Sequence, residues 1–286
     1  MTRRSVIATG LAAAVLPPSQ AWAGRETLIS RPDFAAVFAD AGAVGCFAAF
    51  DGARDTFTLF DFERAKRRYV PASTFKIVNS LIAIETAVVR DQTEVIPYGG
   101  KPQPFPAWER DMPMIDAVPA SSVPIFQEIA RRVGLESYRS WLDKLDYGNG
   151  EIGDIVDRFW LDGPLEISAM EQAVFIDRLA RRELPASKRA QDIAASLIKL
   201  DTQDGRTLYG KTGWVAPGTA TAGAGGVEVG GAGAVGVGWW VGWVDRSIAD
   251  GGLLAFALNI DMAVVADARK RIDIGKAILA KLGAWG

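Results

Sequence analysis

Short apolar runs typical of strands occur in two stretches near the start of the chain and in three near its end. Residues 44–51 and 56–61 are separated by Gly52 and polar residues, which predicts an antiparallel hairpin. Strand character returns over residues 207–212, 237–244 and 253–259. Both ends of the chain are therefore expected to supply strands.

The middle of the chain has helical periodicity, with apolar residues recurring every three or four positions. A proline-rich stretch at residues 97–119 interrupts this pattern. The predicted helices begin near Ser73 and cover residues 123–133, 138–145, 168–182, 190–200 and, last, 265–282.

This order of elements predicts an α+β fold in which both chain ends build one antiparallel sheet flanked by helices. We expect a sheet lobe from about residues 24–70 and 200–286, and an all-helical lobe from about residues 71–199. A groove between two such lobes is the natural place for a ligand.

The first 23 residues have the features of a cleaved export signal. A basic start with Arg3 and Arg4 precedes a short apolar run, and the small-residue site ends at Ala23. The paired arginines fit a twin-arginine signal as well as an ordinary secretory leader, so the route stays open. No later segment has about 18 uninterrupted apolar residues, and we therefore expect a periplasmic or secreted protein without a membrane anchor.

Composition removes several classes of function. The chain has no histidine, which excludes Ser-His-Asp and Cys-His triads and argues against a zinc site. Cys46 is the only cysteine, so no intramolecular disulfide forms, and we interpret it as a buried strand residue. Without Arg3 and Arg4 the 32 basic residues become 30 against 34 acidic ones, and a charge of about −4 does not suggest a nucleic-acid partner.

Ser73 and Lys76 lie one helical turn apart and therefore face the same way. A serine at a helix start is exposed near free backbone N–H groups, and a neutral lysine beside it can accept its proton. The alternative interpretation is a helix start with a solvated lysine. The same spacing recurs at Ser196 and Lys199 in an ordinary amphipathic pattern, so spacing alone does not decide.

Two further motifs occur late in the chain. Lys211, Thr212 and Gly213 fall in a predicted strand, where they form either a strand end or a cationic and hydroxyl pair whose glycine lets a ligand approach. Residues 231–236 formally match a dinucleotide-binding glycine pattern, but no helix follows, so we interpret the Gly-rich segment 215–238 as a long hairpin tip.

Taken together, five motifs resemble those of the class D β-lactamases, or oxacillinases, over essentially the whole predicted mature chain. The Ser-Asp-Asn element common among penicillin-recognising serine enzymes is absent. The motifs are Ser73-Thr-Phe-Lys76, Ser121-Ser-Val123, Tyr147-Gly-Asn149, Phe159-Trp-Leu-Asp-Gly-Pro-Leu165 and Lys211-Thr-Gly213. The resemblance implies a single transpeptidase-like catalytic domain over residues 24–286.

The resemblance also implies roles for individual residues. Ser73 matches the nucleophile, and Lys76 matches a lysine that carries an N-carboxylate formed from CO2. Ser121 matches a proton-relay serine, Val123 an apolar residue covering the lysine, and Trp160 the donor to the carbamate. A second group matches the substrate-binding residues of the family: Lys211, Thr212, Gly213, Trp214 and Arg271. The resemblance implies that the backbone N–H groups of Ser73 and Trp214 form the oxyanion hole.

Some assignments stay open at this stage. Tyr147-Gly-Asn149 has either a catalytic or a structural loop role, and Trp108 is either a groove wall or a loop anchor. The main alternative function is a penicillin-binding protein or β-lactam sensor that is acylated without turnover, and a non-catalytic binding module is the third. The expected partners are small β-lactams bound by a monomer or homodimer, with no metal and no cofactor beyond CO2 or bicarbonate.

Overall fold

The computed structural model describes residues 26–217, 236–247, 249 and 251–286. The predicted export signal and most of the Gly-rich segment, including residues 231–235, lie outside the described residues. The strands are β1 (Thr27–Ser30), β2 (Gly45–Asp51), β3 (Thr56–Phe60), β4 (Arg68–Tyr69), β5 (Val95–Ile96), β6 (Met112–Pro113), β7 (Ile167–Ser168), β8 (Lys199–Gln203), β9 (Arg206–Val215), β10 (Val237–Asp245) and β11 (Leu254–Asp261).

The α-helices include the predicted ones and three short ones that the sequence pattern did not predict, at Ala35–Asp40, Phe62–Ala65 and Met114–Ala117. In chain order the α-helices are α1 (Ala35–Asp40), α2 (Phe62–Ala65), α3 (Lys76–Glu85), α4 (Met114–Ala117), α5 (Val123–Val133), α6 (Leu135–Leu145), α7 (Ala169–Arg181), α8 (Lys188–Ser196) and α9 (Lys270–Lys281). Short 3-10 helices cover Pro32–Phe34, Ala72–Phe75, Pro106–Trp108 and Val265–Arg269.

Seven strands form the main sheet, in the order β1-β3-β2-β11-β10-β9-β8. Neighbouring strands are antiparallel except β1 and β3, which pair in parallel. The sheet therefore joins strands from both ends of the chain, which confirms the predicted α+β architecture.

Two cores cover the two faces of this sheet. On one face α7 packs against β2, β10 and β11, and the apolar cluster continues through α3 into the helices beyond. On the other face α1 and α9 cover a second cluster that includes Phe47, Trp240 and Ile278. Each fully buried side chain of this size contributes about 1.5–3 kcal/mol to folding, so both faces hold the sheet firmly.

The hairpin of β2 and β3 and the helices α5 and α7 confirm the predictions made from periodicity. Ser168 caps α7 because its hydroxyl accepts the Glu171 N–H while the Glu171 carboxylate accepts the Ser168 N–H. Cys46 is buried in β2 as predicted, and burial raises the pKa of its thiol to about 12.

Other boundaries differ from the prediction. The helix expected over residues 190–200 ends at Ser196, because Lys199–Gln203 pairs with β9 as strand β8. The helix expected from Ser73 begins as a 3-10 turn and becomes α-helical at Lys76. Strand β1 was not predicted, since its residues are all exposed at the sheet edge and show no buried alternation.

Candidate active site

Ser73 lies on the 3-10 turn Ala72–Phe75, which is wedged against strand β9. This close packing needs a glycine on β9, because a Cβ at Gly213 would lie 2.9 Å from the Pro71 carbonyl oxygen and 3.2 Å from the Thr74 nitrogen. Sequence reasoning assigned this glycine to close approach of a ligand. The structure instead places the protein's own Ser73 turn against it.

Lys76 is the first residue of α3, so its side chain returns towards the turn that carries Ser73. Its Nζ donates a hydrogen bond of 2.9 Å to the Ser73 Oγ and lies 5.3 Å from the centroid of the Phe126 ring. The lysine is completely buried, and no carboxylate among the described residues forms a salt bridge with it. Burial, and secondly the charge of Lys211, lower the pKa of Lys76 well below its usual value.

Ser121 and Lys211 form a second serine–lysine pair. The Lys211 Nζ donates to the Ser121 Oγ at 3.1 Å and to the Thr212 carbonyl oxygen at 2.8 Å. Burial, and secondly the neighbouring Arg271, lower the pKa of Lys211 to about 7. Ser121 has a φ of +54°, which places it in the left-handed region on the loop before α5.

Trp160 is buried, and its indole is stacked on Phe75, the residue before Lys76, with 5.6 Å between the ring centroids. Its Nε1–H has no hydrogen-bond partner among the described residues. A buried donor without an acceptor costs about 1–3 kcal/mol. The arrangement therefore presents a donor that an additional acceptor group can satisfy.

The loop that carries Trp160 is held by Asn149. The Asn149 Nδ2 donates to the Pro164 carbonyl at 2.8 Å, and its Oδ1 accepts the Glu166 N–H at 3.0 Å. These bonds give the Tyr147-Gly-Asn149 motif a structural role in the loop. Tyr147 is buried below it, 3.5 Å from the Gln172 Oε1.

Arg271 lies on α9, the helix that covers one face of the sheet, and reaches β9 from that face. Its Nη1 donates to the Gly213 carbonyl oxygen at 2.6 Å, while its Nε has no partner among the described residues. Burial lowers the pKa of this guanidinium to about 10. Arg269, two residues before it in the chain, is exposed and pairs with Asp273 at 2.8 Å.

Strand β9 has an open edge where the site lies. The Gly210 N–H donates to the Ile198 carbonyl at 2.8 Å, and pairing with β8 ends at the level of Tyr209. Backbone groups alternate sides along a strand, so the Thr212 and Trp214 N–H groups point towards this same open side. The Thr212 and Trp214 N–H groups thus lie on an open edge, and the Ser73 turn packs against the same strand at Gly213.

Sequence reasoning missed two residues behind the Ser73 turn. Gln172 on α7 donates to the Thr74 Oγ1 at 2.8 Å, and that hydroxyl donates to the Pro71 carbonyl at 2.7 Å. Phe126 on α5 lies against the Lys76 amine. Gln172 and Phe126 are about 100 and 50 residues away from Ser73 in the sequence. Helical periodicity was the only signal for them, and it indicated ordinary core residues.

Trp108 anchors the loop beside Ser121. Its Nε1 donates to the Ala120 carbonyl at 2.9 Å, and its ring packs edge-on against Phe105 with 4.7 Å between centroids. Val123, at the first position of α5, is half-buried. The anchoring interpretation of Trp108 therefore has direct structural support.

Three basic side chains are buried at this site. Lys76, Lys211 and Arg271 are buried close enough for Lys211 to lower the pKa of Lys76 and for Arg271 to lower that of Lys211. In the part of the chain that the structure describes, none of the three has a salt-bridge partner, and no cluster of three potential metal-ligating side chains occurs. Such a site favours anionic groups.

Comparison with known proteins gives consistent relatives. The profile of the penicillin-binding protein transpeptidase domain matches residues 49–281. Beta-lactamase OXA-5 of Pseudomonas aeruginosa is 36% identical over 239 residues, which are 84% of this chain and 84% of that protein. Beta-lactamase OXA-48 of Klebsiella pneumoniae is 37% identical over 202 residues, 71% of this chain and 69% of its own length.

Solved structures agree with the sequence relatives. The crystal structure of FUS-1 (OXA-85), a class D beta-lactamase from Fusobacterium nucleatum subsp. polymorphum, has a TM-score of 0.79 at 32% identity and covers 89% of this chain and 99% of that chain. The class D beta-lactamase YbXI from Nostoc has a TM-score of 0.77 at 32% identity, over 87% of this chain and 98% of that chain. Within the described residues, no helix is long and apolar enough to cross a membrane.

Proposed function

Because this chain belongs to the class D β-lactamases, which hydrolyse the β-lactam ring, we propose that it does so through an acyl-enzyme on Ser73. One observation carries the proposal. The Lys76 Nζ is completely buried and lies 2.9 Å from the Ser73 Oγ, with no carboxylate among the described residues to keep it charged. A serine hydroxyl beside a neutral amine is an activated nucleophile.

Lys76 is proposed to act as an N-carboxylated lysine. A neutral amine adds to CO2 and loses a proton, which gives a carbamate with two acceptor oxygens and a negative charge. Burial favours the neutral amine that this addition needs. The unpartnered Trp160 Nε1–H supplies a donor for the carbamate, and the neighbouring Lys211 supplies an opposite charge.

In acylation the carbamate on Lys76 takes the Ser73 proton while the Ser73 Oγ attacks the β-lactam carbonyl carbon. The ring C–N bond then breaks, and the proton taken by the carbamate passes through Ser121, which is hydrogen-bonded to Lys211, to the leaving nitrogen, so the carbamate is restored. In deacylation the carbamate accepts a proton from water while the water oxygen attacks the ester carbonyl carbon. The Ser73 Oγ then leaves and receives that proton back from the carbamate. One base thereby serves both steps, which replaces the absent histidine.

The remaining motif residues are proposed to bind the substrate. Lys211, Thr212 and Arg271 form the cationic and hydroxyl group for the β-lactam carboxylate, and Val123 covers Lys76. Gly213 lets the strand lie against the Ser73 turn. The backbone N–H groups of Ser73 and Trp214 form the oxyanion hole, since two donors aimed at the developing negative charge stabilise it.

The wider assignment rests on the sequence. Residues 1–23 are proposed to be an export signal cleaved near Ala23, which leaves residues 24–286 as one catalytic domain, a monomer or homodimer, in the periplasm or outside the cell. Hydrolysis of penicillins there confers antibiotic resistance. No metal, nucleic acid or membrane anchor is part of this proposal.

A second candidate function is supported by the matching domain profile, which is that of penicillin-binding protein transpeptidases. Such a protein forms the same Ser73 ester but releases it slowly or transfers it to an amine. Both candidates therefore share acylation, and the rate of hydrolytic turnover separates them.

The test is hydrolysis of a chromogenic cephalosporin and of oxacillin by residues 24–286, with and without bicarbonate. We expect sustained turnover that rises with bicarbonate, and loss of turnover in Ser73→Ala. The matched control is Ser196→Ala, which removes a serine with the same spacing to a lysine, Lys199, outside the site. A single stoichiometric burst of product would instead identify a penicillin-binding protein or sensor.

A further inference from the structure

The Gly213–Trp214 peptide group has an unusual neighbour on its carbonyl side. Arg271 donates to the Gly213 carbonyl oxygen at 2.6 Å from Nη1, which also lies 3.6 Å from the Met262 sulfur. The arginine is more than nine-tenths buried. A guanidinium at this distance forms a charge-assisted hydrogen bond, which is stronger than one from a neutral donor.

The N–H of the same peptide group points the opposite way. In a trans peptide the C=O and N–H bonds are antiparallel, so the Trp214 N–H leaves the strand on the side away from Arg271. The β9–β10 register has no bulge from Thr207 to Val215, and the Gly210 N–H marks the open side through its bond to Ile198. The Trp214 N–H therefore points out of the open edge of β9, the strand against which the Ser73 turn packs.

We propose that Arg271 is a positioning residue that polarises the Gly213–Trp214 peptide from behind and so strengthens the Trp214 N–H as a donor to the reacting carbonyl oxygen. This inference rests on the proposed oxyanion hole. It adds to Arg271 a role that does not require a carboxylate on the substrate.

The physical reason is cooperativity within one amide. A cation bound to the carbonyl oxygen withdraws electron density through the conjugated C–N bond, which makes the N–H more positive. Chains of hydrogen bonds strengthen one another in this way by about 10–30% per bond, and the effect is larger where water is excluded. The site around Arg271 is buried, so little solvent screens its charge from the peptide.

The first test examines the free enzyme and does not depend on catalysis. Glycine labelled with ¹³C at the carbonyl and tryptophan labelled with ¹⁵N report every Gly–Trp peptide, and the chain has three of them, at residues 213–214, 238–239 and 242–243. In Arg271→Gln we expect the Gly213–Trp214 signal to move the most. Arg269→Gln removes an exposed arginine two residues away and should leave all three signals in place.

The second test examines the acyl-enzyme. The ester carbonyl stretch, recorded by rapid-mixing infrared spectroscopy with a ¹³C-labelled penicillin, should rise in frequency in Arg271→Gln because its oxyanion-hole bond weakens. We expect kcat to fall about three- to tenfold, less than the loss of a whole oxyanion donor would cause.

A neutral substrate separates this role from carboxylate binding. With the methyl ester of the same penicillin, Arg271→Gln should still raise the carbonyl frequency and lower kcat. Arg271 acting on the carboxylate alone predicts an effect on the KM of the acid and none on the ester, and that result would overturn the inference. If Arg271→Gln does not fold, Arg271→Lys, which keeps the charge but has one shorter-reaching donor, should show smaller changes in the same direction, and unchanged signals there would also overturn it.

Mass spectrometry keeps the two proposals apart. If no ester forms on Ser73, the proposed function fails, whatever the carbonyl signals of the free enzyme show. If the Ser73 ester forms and its carbonyl frequency is the same in wild type and Arg271→Gln, the function stands and the role of Arg271 fails.

Discussion

Lys76 and Asp177 are both ionisable side chains buried in the protein, yet their surroundings differ. Asp177, near the end of α7, pairs with Arg181 at 2.8 Å and accepts the Gly52 N–H at 3.4 Å. Gly52 is needed there, because a Cβ would lie 2.2 Å from the Asp177 Oδ2. The Lys76 Nζ is hydrogen-bonded to the Ser73 hydroxyl and lies beside the Phe126 ring. Asp177 therefore has a counter-charge, whereas Lys76 has none among the described residues.

The influences on the pKa of the two side chains also differ. Burial raises the pKa of Asp177, while Arg181 and the Gly52 N–H oppose that shift. For Lys76 both influences, burial and Lys211, act in the same direction and lower the pKa. Uncompensated buried groups of this kind cluster where function requires a perturbed pKa.

The largest expected effect comes from removing the Lys76 amine. Lys76→Met should lower kcat/KM for oxacillin by about a thousandfold or more, because the general base is lost. In bicarbonate-free buffer it should raise the free energy of unfolding by about 1–2 kcal/mol at pH 7, because an uncompensated buried amine is replaced by an apolar side chain. Steady-state kinetics and urea unfolding measure the two quantities.

The sign of the stability change follows from proton binding. The pKa of Lys76 is lower in the folded state than the 10.5 of the free side chain, so the unfolded chain holds more protons below that pH. The contribution of Lys76 to the free energy of unfolding therefore falls as the pH falls from 10.5 towards the pKa of Lys76 in the folded state. A Lys76→Met protein that is less stable than wild type, or that retains full turnover, would contradict the comparison.

The converse substitution tests the compensated charge. Asp177→Ala should lower the free energy of unfolding by about 2 kcal/mol, because Arg181 and the Gly52 N–H lose their partner, while kcat/KM stays unchanged at a temperature where the protein is folded. Asp192→Ala is the matched control. Asp192 pairs with Arg182 and Lys188 at the surface, so its loss should cost at most about 0.5 kcal/mol.

The sequence predicted most strands of the main sheet from short apolar runs, and most helices from apolar positions that repeat with the helical period. It missed β1, whose Leu28 and Ile29 are about half exposed, because an exposed edge strand has no buried alternation to reveal it. It also predicted Lys199 to be helical. In the structure this residue lies in strand β8, because pairing with β9 overrides the local helical preference.

The site was predicted in a different way. The residue types and order of the motifs led to Ser73, Lys76, Ser121 and Lys211, and the structure brings them together as two hydrogen-bonded pairs. The sequence pattern and the motifs did not predict the bond from Arg271 to the Gly213 carbonyl, because that contact depends on how α9 packs across the sheet. Long-range contacts of this kind are not encoded in any local spacing.

A third prediction concerns the unpartnered indole. Trp160→Phe keeps the ring that packs on Phe75 and removes the Nε1–H, so the bicarbonate concentration for half-maximal activity should rise about tenfold, the equivalent of one hydrogen bond of about 1.4 kcal/mol. Without bicarbonate its stability should not fall by the cost of a lost hydrogen bond, because that donor has no protein partner. Activity titrations and ¹³C NMR with labelled bicarbonate measure both carbamate formation and turnover.

Trp285→Phe is the control for this substitution, since Trp285 is buried in the core on the other side of the sheet. It should leave the bicarbonate dependence unchanged. Equal bicarbonate dependence in wild type and Trp160→Phe would remove the indole from the proposed carbamate site.

The smallest expected effect lies in the pH dependence of substrate binding. Burial, followed by the charge of Arg271, lowers the pKa of Lys211 to about 7. Its ammonium form, the form that attracts a carboxylate, is therefore present below pH 7 and is lost above it. Over the first pH unit above this pKa the protonated fraction falls from about one half to about one eleventh, so the KM of a penicillin should rise about fivefold. A negative carbamate on Lys76 raises the pKa of Lys211 and moves this rise in KM to higher pH.

Substrate and variant together identify Lys211 as the titrating group. The KM of the penicillin methyl ester should stay flat over the same range, because it has no carboxylate to lose a partner. Arg271→Gln removes the nearby positive charge, raises the pKa of Lys211 and moves the rise in KM to higher pH, whereas Arg269→Gln leaves it in place. If KM of the acid and of the ester showed the same pH dependence in every variant, another group would be titrating. Lys211 would then have no role in binding the substrate carboxylate.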